Sequence, residues 1–354
     1  MKEINFNFHT NKENKRFKKK LLLTLLALFL GFIFFNTRLL NREIIITNNT
    51  RNEQKNNSSW LKNFANLFLF TQNQAEEIDP DYIMPIKEPE RLDILILGIR
   101  GENDPDADAA GALLTDTIMI FSYDKLSKKS SLVSIPRDLY VKIYGKGNKI
   151  NAAYEYGLIN KEGIEYVKKL ISQITGVFID HAVVVDFSSF EKLIDHLGGI
   201  DITLTKPFKE EGQWGYVFEL PAGKNHLNGQ EALYYARSRY STSDFDRAFR
   251  QQQILFAIKE KIVKLNLITD PVKILSLFNL LNKNIKTDIN IWEIKDLIDM
   301  GNEIINSANI KKEVLSTDNL LYQSVGPNKE YILLPLGDNF VQIKKFFSDI
   351  LYNN

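Results

Sequence analysis

Apolar positions fall into three patterns along the chain. The first is one long block, LLLTLLALFLGFIFFNTRLL at 21–40, which contains no acid, carries a single charge at Arg38 and follows the basic stretch RFKKK. Its unbroken apolar part is about 15 residues, short of the ~20 needed to cross a hydrocarbon core; Thr37, a snorkelling Arg38 and Leu39-Leu40 complete the span. The second pattern is a set of short continuous runs between turn residues. LDILILGI (92–99), TIMIFSYD (117–124) and KSSLVSIP (129–136) read as strands buried on both faces, and three in succession predict the start of a sheet.

The third pattern is helical periodicity, in NAAYEYGLINKEGIEYVKKLISQIT (151–175), SSFEKLIDHL (188–197) and QQQILFAIKEKIVKL (251–265), with more helices to residue 310. Between these lie the strands HAVVVDF (181–187) and IDITL (200–204), the latter after a Gly198-Gly199 turn. YYARSRY (234–240) reads as a strand that puts Arg237 and Arg239 on one face, and EYILLPLGDNFVQIKKFFSDIL (330–351) as a closing strand and helix. Such alternation predicts an α/β fold, a central sheet flanked by helices, preceded by one N-terminal transmembrane helix.

Charge gives the long block a direction. Residues 1–20 hold seven basic residues against two acidic ones, so the positive-inside rule makes them a cytoplasmic tail and places everything beyond the 21–40 anchor outside the cell membrane, as a single-pass protein. A cleaved signal peptide is the alternative, but no small-x-small cleavage site follows the run. Residues 41–90, rich in Asn, Gln and Lys, form a stalk; within it WLKNFANLFLF (60–70) is apolar enough to lie on the membrane surface or to pack as a short helix. The globular domain is 91–354. Taking the +5 of residues 1–20 from the chain's net charge of +1 leaves −4 for the remainder, which argues against nucleic acid as a partner. With no cysteine, there is no disulfide framework, thiol nucleophile or thiolate metal site, so any metal is held by oxygen or by one of four histidines.

Against this nearly neutral background, RSRYSTSDFDRAFRQQQ (237–253) concentrates Arg237, Arg239, Arg247 and Arg250, the last two at i, i+3 on a helix start. Guanidinium groups brought together repel unless an anion lies between them, and their planar fork suits the oxygens of phosphate or diphosphate. Salt bridges with Asp244, Asp246 and acids elsewhere are the competing explanation. Arg137 strengthens the anion reading, because SLVSIPRD places it at the end of a buried strand, where α/β sheets bind ligands; Asp138 beside it can orient it. Lys149, in a turn before a helix, offers another point charge. GENDPDADAAGALLTDT (101–117) supplies Asp104, Asp106, Asp108 and Asp116, an oxygen-ligand set suited to a Mg²⁺ ion bridging phosphates, or else a solvated acidic loop; its spacing does not fit an EF-hand.

In order, LLTDTIMI, SLVSIPRDLYV, KINAAYEYG, VVVDFSSFEKLIDHLGGIDI, LPAGKNHLNGQEALYYARSR and DFDRAFRQQQ resemble the LytR-CpsA-Psr family of cell-wall glycopolymer transferases, across a motif core of 92–262 with a weaker likeness in the tail. The resemblance implies an anchored extracytoplasmic enzyme with a hydrophobic cavity for a polyprenyl chain. Its implied reaction is Mg²⁺-dependent transfer of a glycan phosphate from a polyprenyl-diphosphate carrier to peptidoglycan. It also implies that Arg137, Lys149, Arg237, Arg239, Arg247, Arg250 and Gln251 surround the diphosphate. Asp138 would then support Arg137 or the metal, and Asp116 would be a metal-side acid; for the second acid, which the family's position does not supply here, Asp104 is chosen, with Asp106 and Asp108 open. Two departures stand out: Arg100 follows the first strand where the family commonly has aspartate, and SDFDR replaces GDFGR, so Asp246 occupies a glycine position. A diphosphate hydrolase and a nonenzymatic binder of anionic polymers remain as alternatives.

Overall fold

The computed structural model describes residues 84–102, 111–265, 285–289 and 310–352, all within one compact unit, Ala75–Asn354. The expected tail, anchor and stalk up to residue 83, and Asp104, Asp106 and Asp108, lie outside the described residues. Among those described, no helix is long and apolar enough to cross a membrane.

The first three buried runs form β1 (Arg91–Ile99), β2 (Thr115–Asp124) and β3 (Ser130–Ser134), an antiparallel meander. A small ribbon, β4 (Tyr140–Ile143) with β5 (Lys146–Lys149), leads into α1 (Ala153–Ile159) and α2 (Ile164–Thr175). The chain then returns as β6 (His181–Asp186), parallel to β1. Next come α3 (Phe187–His196), β7 (Ile200–Leu204), β8 (Phe208–Glu210), β9 (Phe218–Leu220) and β10 (Gly223–Leu227). Two helices follow, α4 (Gly229–Arg237) and the long α5 (Asp244–Lys264). The described remainder is β11 (Lys286–Thr287), β12 (Ile310–Val314), β13 (Leu321–Val325), β14 (Tyr331–Pro335) and α6 (Val341–Asp349). The main sheet has the order β11-β6-β1-β2-β3-β12, with β12 parallel to β3. The expected α/β class, a central sheet flanked by helices, is therefore what the chain forms.

Both faces of the sheet are apolar, for different reasons. Leu95, Leu97 and Ile99 alternate onto one face and join Ile118 and Ile120 of β2, Ile171 and Ile174 of α2 and Phe347 of α6 in the principal core. Burying each such side chain contributes roughly 1.5–3 kcal/mol. The opposite face is set by register: Ile96 pairs with Met119 and Val183, and Gly98 with Thr117 and Val185. Ile96, Gly98, Thr117, Met119 and Val185 look onto a cavity roofed by Ile254, Leu255 and Ile258 of α5, with Phe190, Leu193 and Leu233 at its sides. A second core under α5 joins Ile194, Ile200, Phe218, Leu227, Tyr235 and Ile254. Gln252 ties α5 to the sheet, donating at 2.8 Å to both Ser134 Oγ and the Glu313 carbonyl.

One local expectation fails. YYARSRY is not a strand: its first four residues complete α4, which starts at a reciprocal capping box in which Asn228 and Glu231 satisfy each other's backbone N–H groups. That cap and the pair Ala232/Ala236 at i, i+4 on the buried side favour helix over the β preference of the two tyrosines. Arg237 is the last helical residue, so Arg237 and Arg239 owe their proximity to the chain's exit from a helix.

Candidate diphosphate site

β1 ends in a register break between Gly98 and Ile99, opposite the start of β2. A Cβ on Gly98 would lie 2.8 Å from Thr117 Cβ, so only glycine allows the two strands this approach. Asp116, the second residue of β2, takes Arg137 Nη1 at 2.5 Å on its Oδ1. Asp244 opens α5 and sets its Oδ1 2.8 Å from Arg247 Nη2 and 3.6 Å from Arg137 Nε. Arg247 also donates to the Asp116 carbonyl at 3.2 Å. Arg137 and Arg247 thus stand side by side, braced by two carboxylates, while the Nε of each is buried without a hydrogen-bond partner.

Electrostatics separates the two. Burial opposes the Arg137 cation, but Asp116, Asp244 and Asp138 outweigh it and raise its pKa. Burial lowers the pKa of Arg247; Asp244 and Asp116 offset this only in part, and Arg137 and Arg239 push in the same direction as burial. Since a guanidinium keeps its proton, the downward direction marks a place where added negative charge is favourable.

Arg237 and Arg239 reach the same region from the end of α4, held by side chains that the sequence reading did not single out. The Gln213 amide donates to the Arg237 carbonyl at 3.0 Å and accepts from the Arg239 N–H at 2.8 Å. Glu210, fully buried, accepts from the backbone N–H groups of Tyr240 and Ser241 at 3.0 and 3.2 Å. The Arg237 guanidinium lies 4.1 Å from the Phe187 ring and 5.0 Å from that of Trp214, whose indole donates to Ser238 Oγ at 3.2 Å. Such stacking fixes a cation without using its in-plane donors.

These groups surround the mouth of the cavity between the sheet and α5, whose volume is about 300 Å³. Arg100, Asp116, Arg137, Arg237, Arg239, Arg247 and Gln251 line the polar end, and Ile96, Met119, Leu193, Leu233, Ile254 and Ile258 the apolar body. Three other expected residues, Arg250, Lys149 and Asp138, do not line the cavity. Arg250 is buried against α4, donating to the Tyr235 carbonyl at 3.0 Å and to the Ser238 carbonyl. Lys149 donates to Asp138 Oδ1 at 2.6 Å, and Asp138 Oδ2 lies 3.8 Å from Arg137 Nε, so these two adjoin the site through Arg137. Among the described residues there is no group of three or more His, Cys, Asp or Glu able to hold a metal. Asp116, with its side chain 38% exposed at the mouth, fits a Mg²⁺ ion that draws one or two carboxylates from protein and its other ligands from phosphate and water.

Fold and site together define an α/β domain with an arginine-ringed mouth on an apolar cavity. The chain matches the LytR_cpsA_psr family over residues 46–335 and belongs to that family. It is 34% identical over 209 residues to regulatory protein MsrR of Staphylococcus aureus (strain COL), covering 58% of this chain and 58% of that protein. It is 31% identical over 230 residues to the polyisoprenyl-teichoic acid–peptidoglycan teichoic acid transferase TagU of Bacillus subtilis (strain 168), covering 63% of this chain and 68% of TagU. The crystal structure of B. subtilis TagV superposes with a TM-score of 0.58 at 27% identity, over 75% of this chain and 98% of that one.

Proposed function

We propose that this protein is a membrane-anchored, extracytoplasmic phosphotransferase that moves a glycopolymer phosphate from a polyprenyl-diphosphate carrier to a peptidoglycan hydroxyl. The observation that carries the reading is the continuity of one cavity, apolar along its body and ringed by five arginines at its mouth. A polyprenyl diphosphate has this same division between tail and head. The relative named as a teichoic acid transferase supports the choice of reaction.

In the reaction, the acceptor hydroxyl attacks the phosphorus that bears the glycan. The bridging P–O bond breaks, polyprenyl phosphate leaves with the electron pair, and the hydroxyl proton passes to solvent. Arg137 holds the diphosphate from beyond the end of β3, Arg247 from the first turn of α5, and Arg237 and Arg239 from the end of α4. Because the carboxylates and stacked rings already fix these cations, little reorganisation is needed as charge develops on the leaving phosphate. Mg²⁺, held by Asp116 with Asp104 as the proposed second acid, would neutralise part of that charge. Gln251 lines the mouth, where its amide donates to the Ala236 carbonyl at 3.3 Å. Arg250, Asp138 and Lys149 act through their neighbours.

The test is product analysis with the full chain in lipid nanodiscs, a synthetic polyprenyl-diphosphate glycan and muropeptide acceptors. Polyprenyl monophosphate together with a glycan-phosphate ester on the acceptor is expected, and EDTA should abolish both. Release of monophosphate with free glycan phosphate would make the protein a hydrolase, and retention of intact lipid would make it a binder.

A further inference from the structure

The end of the sheet opposite the mouth has a surface of its own. β1, β2 and β3 alternate in direction, so the start of β1 and the β2–β3 turn share that end, and α5 runs to it from the mouth. Leu126 is 76% exposed at the tip of the turn. The turn is braced beneath it: the Asp124 carboxylate accepts the Ser127 N–H at 2.6 Å and the Tyr352 hydroxyl at 3.3 Å, and the Asp124 N–H donates to the Lys129 carbonyl at 3.0 Å. Lysines flank the tip. Lys125, Lys128 and Lys129 belong to the turn, and Lys311 and Lys312 are exposed at the start of β12, paired with Ser131 and Leu132 of β3. Lys264 closes α5 beside Val263, which is 42% exposed. Opposing them are the exposed acids Glu88 and Glu90 of the entering chain and Glu260 of α5. The described chain also begins at this end, with Ile86 90% exposed and Lys87 2.5 Å from the Asp180 carboxylate that precedes β6.

We propose that this end is a docking surface for a lipid bilayer with anionic headgroups, Leu126 entering the interface and the lysines meeting lipid phosphates; the assignment rests on the membrane-anchored reading. An apolar side chain ringed by lysines suits the boundary between acyl chains and headgroups, where hydrocarbon and cation are satisfied at adjacent depths. Three observations select lipid over a protein partner. The charge is predominantly of one sign, and residues 84–90, which continue from the stalk, lie at this end. The third is an apolar groove of about 250 Å³ between α5 and the sheet, which shares Ile96 and Leu255 with the cavity and continues toward this end through Phe121, Leu132, Phe256 and Ile310. Docked in this way, the domain turns its mouth away from the lipid. β1 is nine residues long, so the arginines stand about 30 Å from the bilayer surface.

Because the chain has no cysteine, one introduced thiol reports on one position. Leu126→Cys in the full chain, carrying an environment-sensitive fluorophore, is placed in nanodiscs of phosphatidylcholine with or without phosphatidylglycerol, both containing a spin-labelled lipid as quencher. The label should be quenched strongly in the anionic discs and weakly in the neutral ones. Val325→Cys is the control: Val325 is 68% exposed and pairs with Tyr331 of β14, the strand whose Leu333 N–H bonds the Asp138 carbonyl. Its label should stay unquenched in both. Lys128→Gln and Lys129→Gln, added to Leu126→Cys, should each lower the docking equilibrium about fivefold, the worth of one lysine at an anionic surface, and leave thermal unfolding unchanged. A label at 126 that stays unquenched in anionic discs, or is quenched equally in both, would overturn the docking surface and leave the transferase reading in place. Shielding of that label in lipid-free detergent solution would make the patch a protein contact instead. Failure of the full chain to enter nanodiscs would remove the anchor and the docking surface together.

Discussion

Arginines that look equivalent in RSR and RAFR have opposite duties. Arg250 is buried and satisfies carbonyls at the end of α4, whereas Arg239 is exposed at the cavity mouth. Arg250→Ala leaves those carbonyls without donors and should destabilise the fold by about 3 kcal/mol, measured by urea unfolding. Arg239→Ala should change stability by less than about 0.5 kcal/mol. It should still lower turnover on the order of 10²-fold, as loss of one preorganised donor does. Near-equal stability of the two variants would remove this division of labour. Asp116 gives a second prediction at this scale. Asp116→Asn should keep the fold and the binding of diphosphate lipid but raise the Mg²⁺ concentration required for turnover; an unchanged Mg²⁺ dependence would place the ion elsewhere.

The helix α5 accounts for one departure from the family pattern. Ser243 is its N-cap and Asp246 its third residue, and each side chain bonds the other's backbone N–H, at 3.1 and 3.0 Å. Replacing both glycines of GDFGR together thus creates a capping box that fixes where Asp244 and Arg247 begin. Ser243→Ala should cost about 1 kcal/mol. The hydrogen bonds from Ser243 lower the Asp246 pKa below 3.8, so its contribution is full above that value and is lost as pH falls through the depressed pKa. The stability advantage of wild type over Asp246→Asn, followed by thermal unfolding against pH, should therefore shrink only in that acid range. An advantage unchanged in acid would mean that the carboxylate charge contributes nothing.

Elements differ in how far they could be read from sequence. The buried strands were legible because an apolar run between turn residues has few alternatives, and Arg137 and Asp116 because they sit at the ends of such runs. The close of α4 was not, since tyrosines and alternating arginines imitate a strand and only the distant Asn228 cap decides otherwise. Nor were Glu210 and Gln213, which lie 24 to 31 residues from the groups they bond and carry no motif; only the packing of β8 and β9 beside α4 brings them there.

At the scale of the whole molecule, a charge asymmetry at the N-terminus accompanies the cavity of the domain. The basic residues before the 21–40 block predict that the domain faces outward. Protease added to intact protoplasts should remove it, and full protection alongside a degraded surface control would reverse the topology. The central claim is that one cavity holds tail and diphosphate together. The most direct measurement is a crystal structure of the protein with a polyprenyl diphosphate and Mg²⁺. Phosphate oxygens are expected on Arg137, Arg237, Arg239 and Arg247, an ion on Asp116, and the tail between Ile96 and Met119 of the sheet and Ile254 and Ile258 of α5. A diphosphate bound away from these arginines, or a tail outside that apolar space, would contradict it.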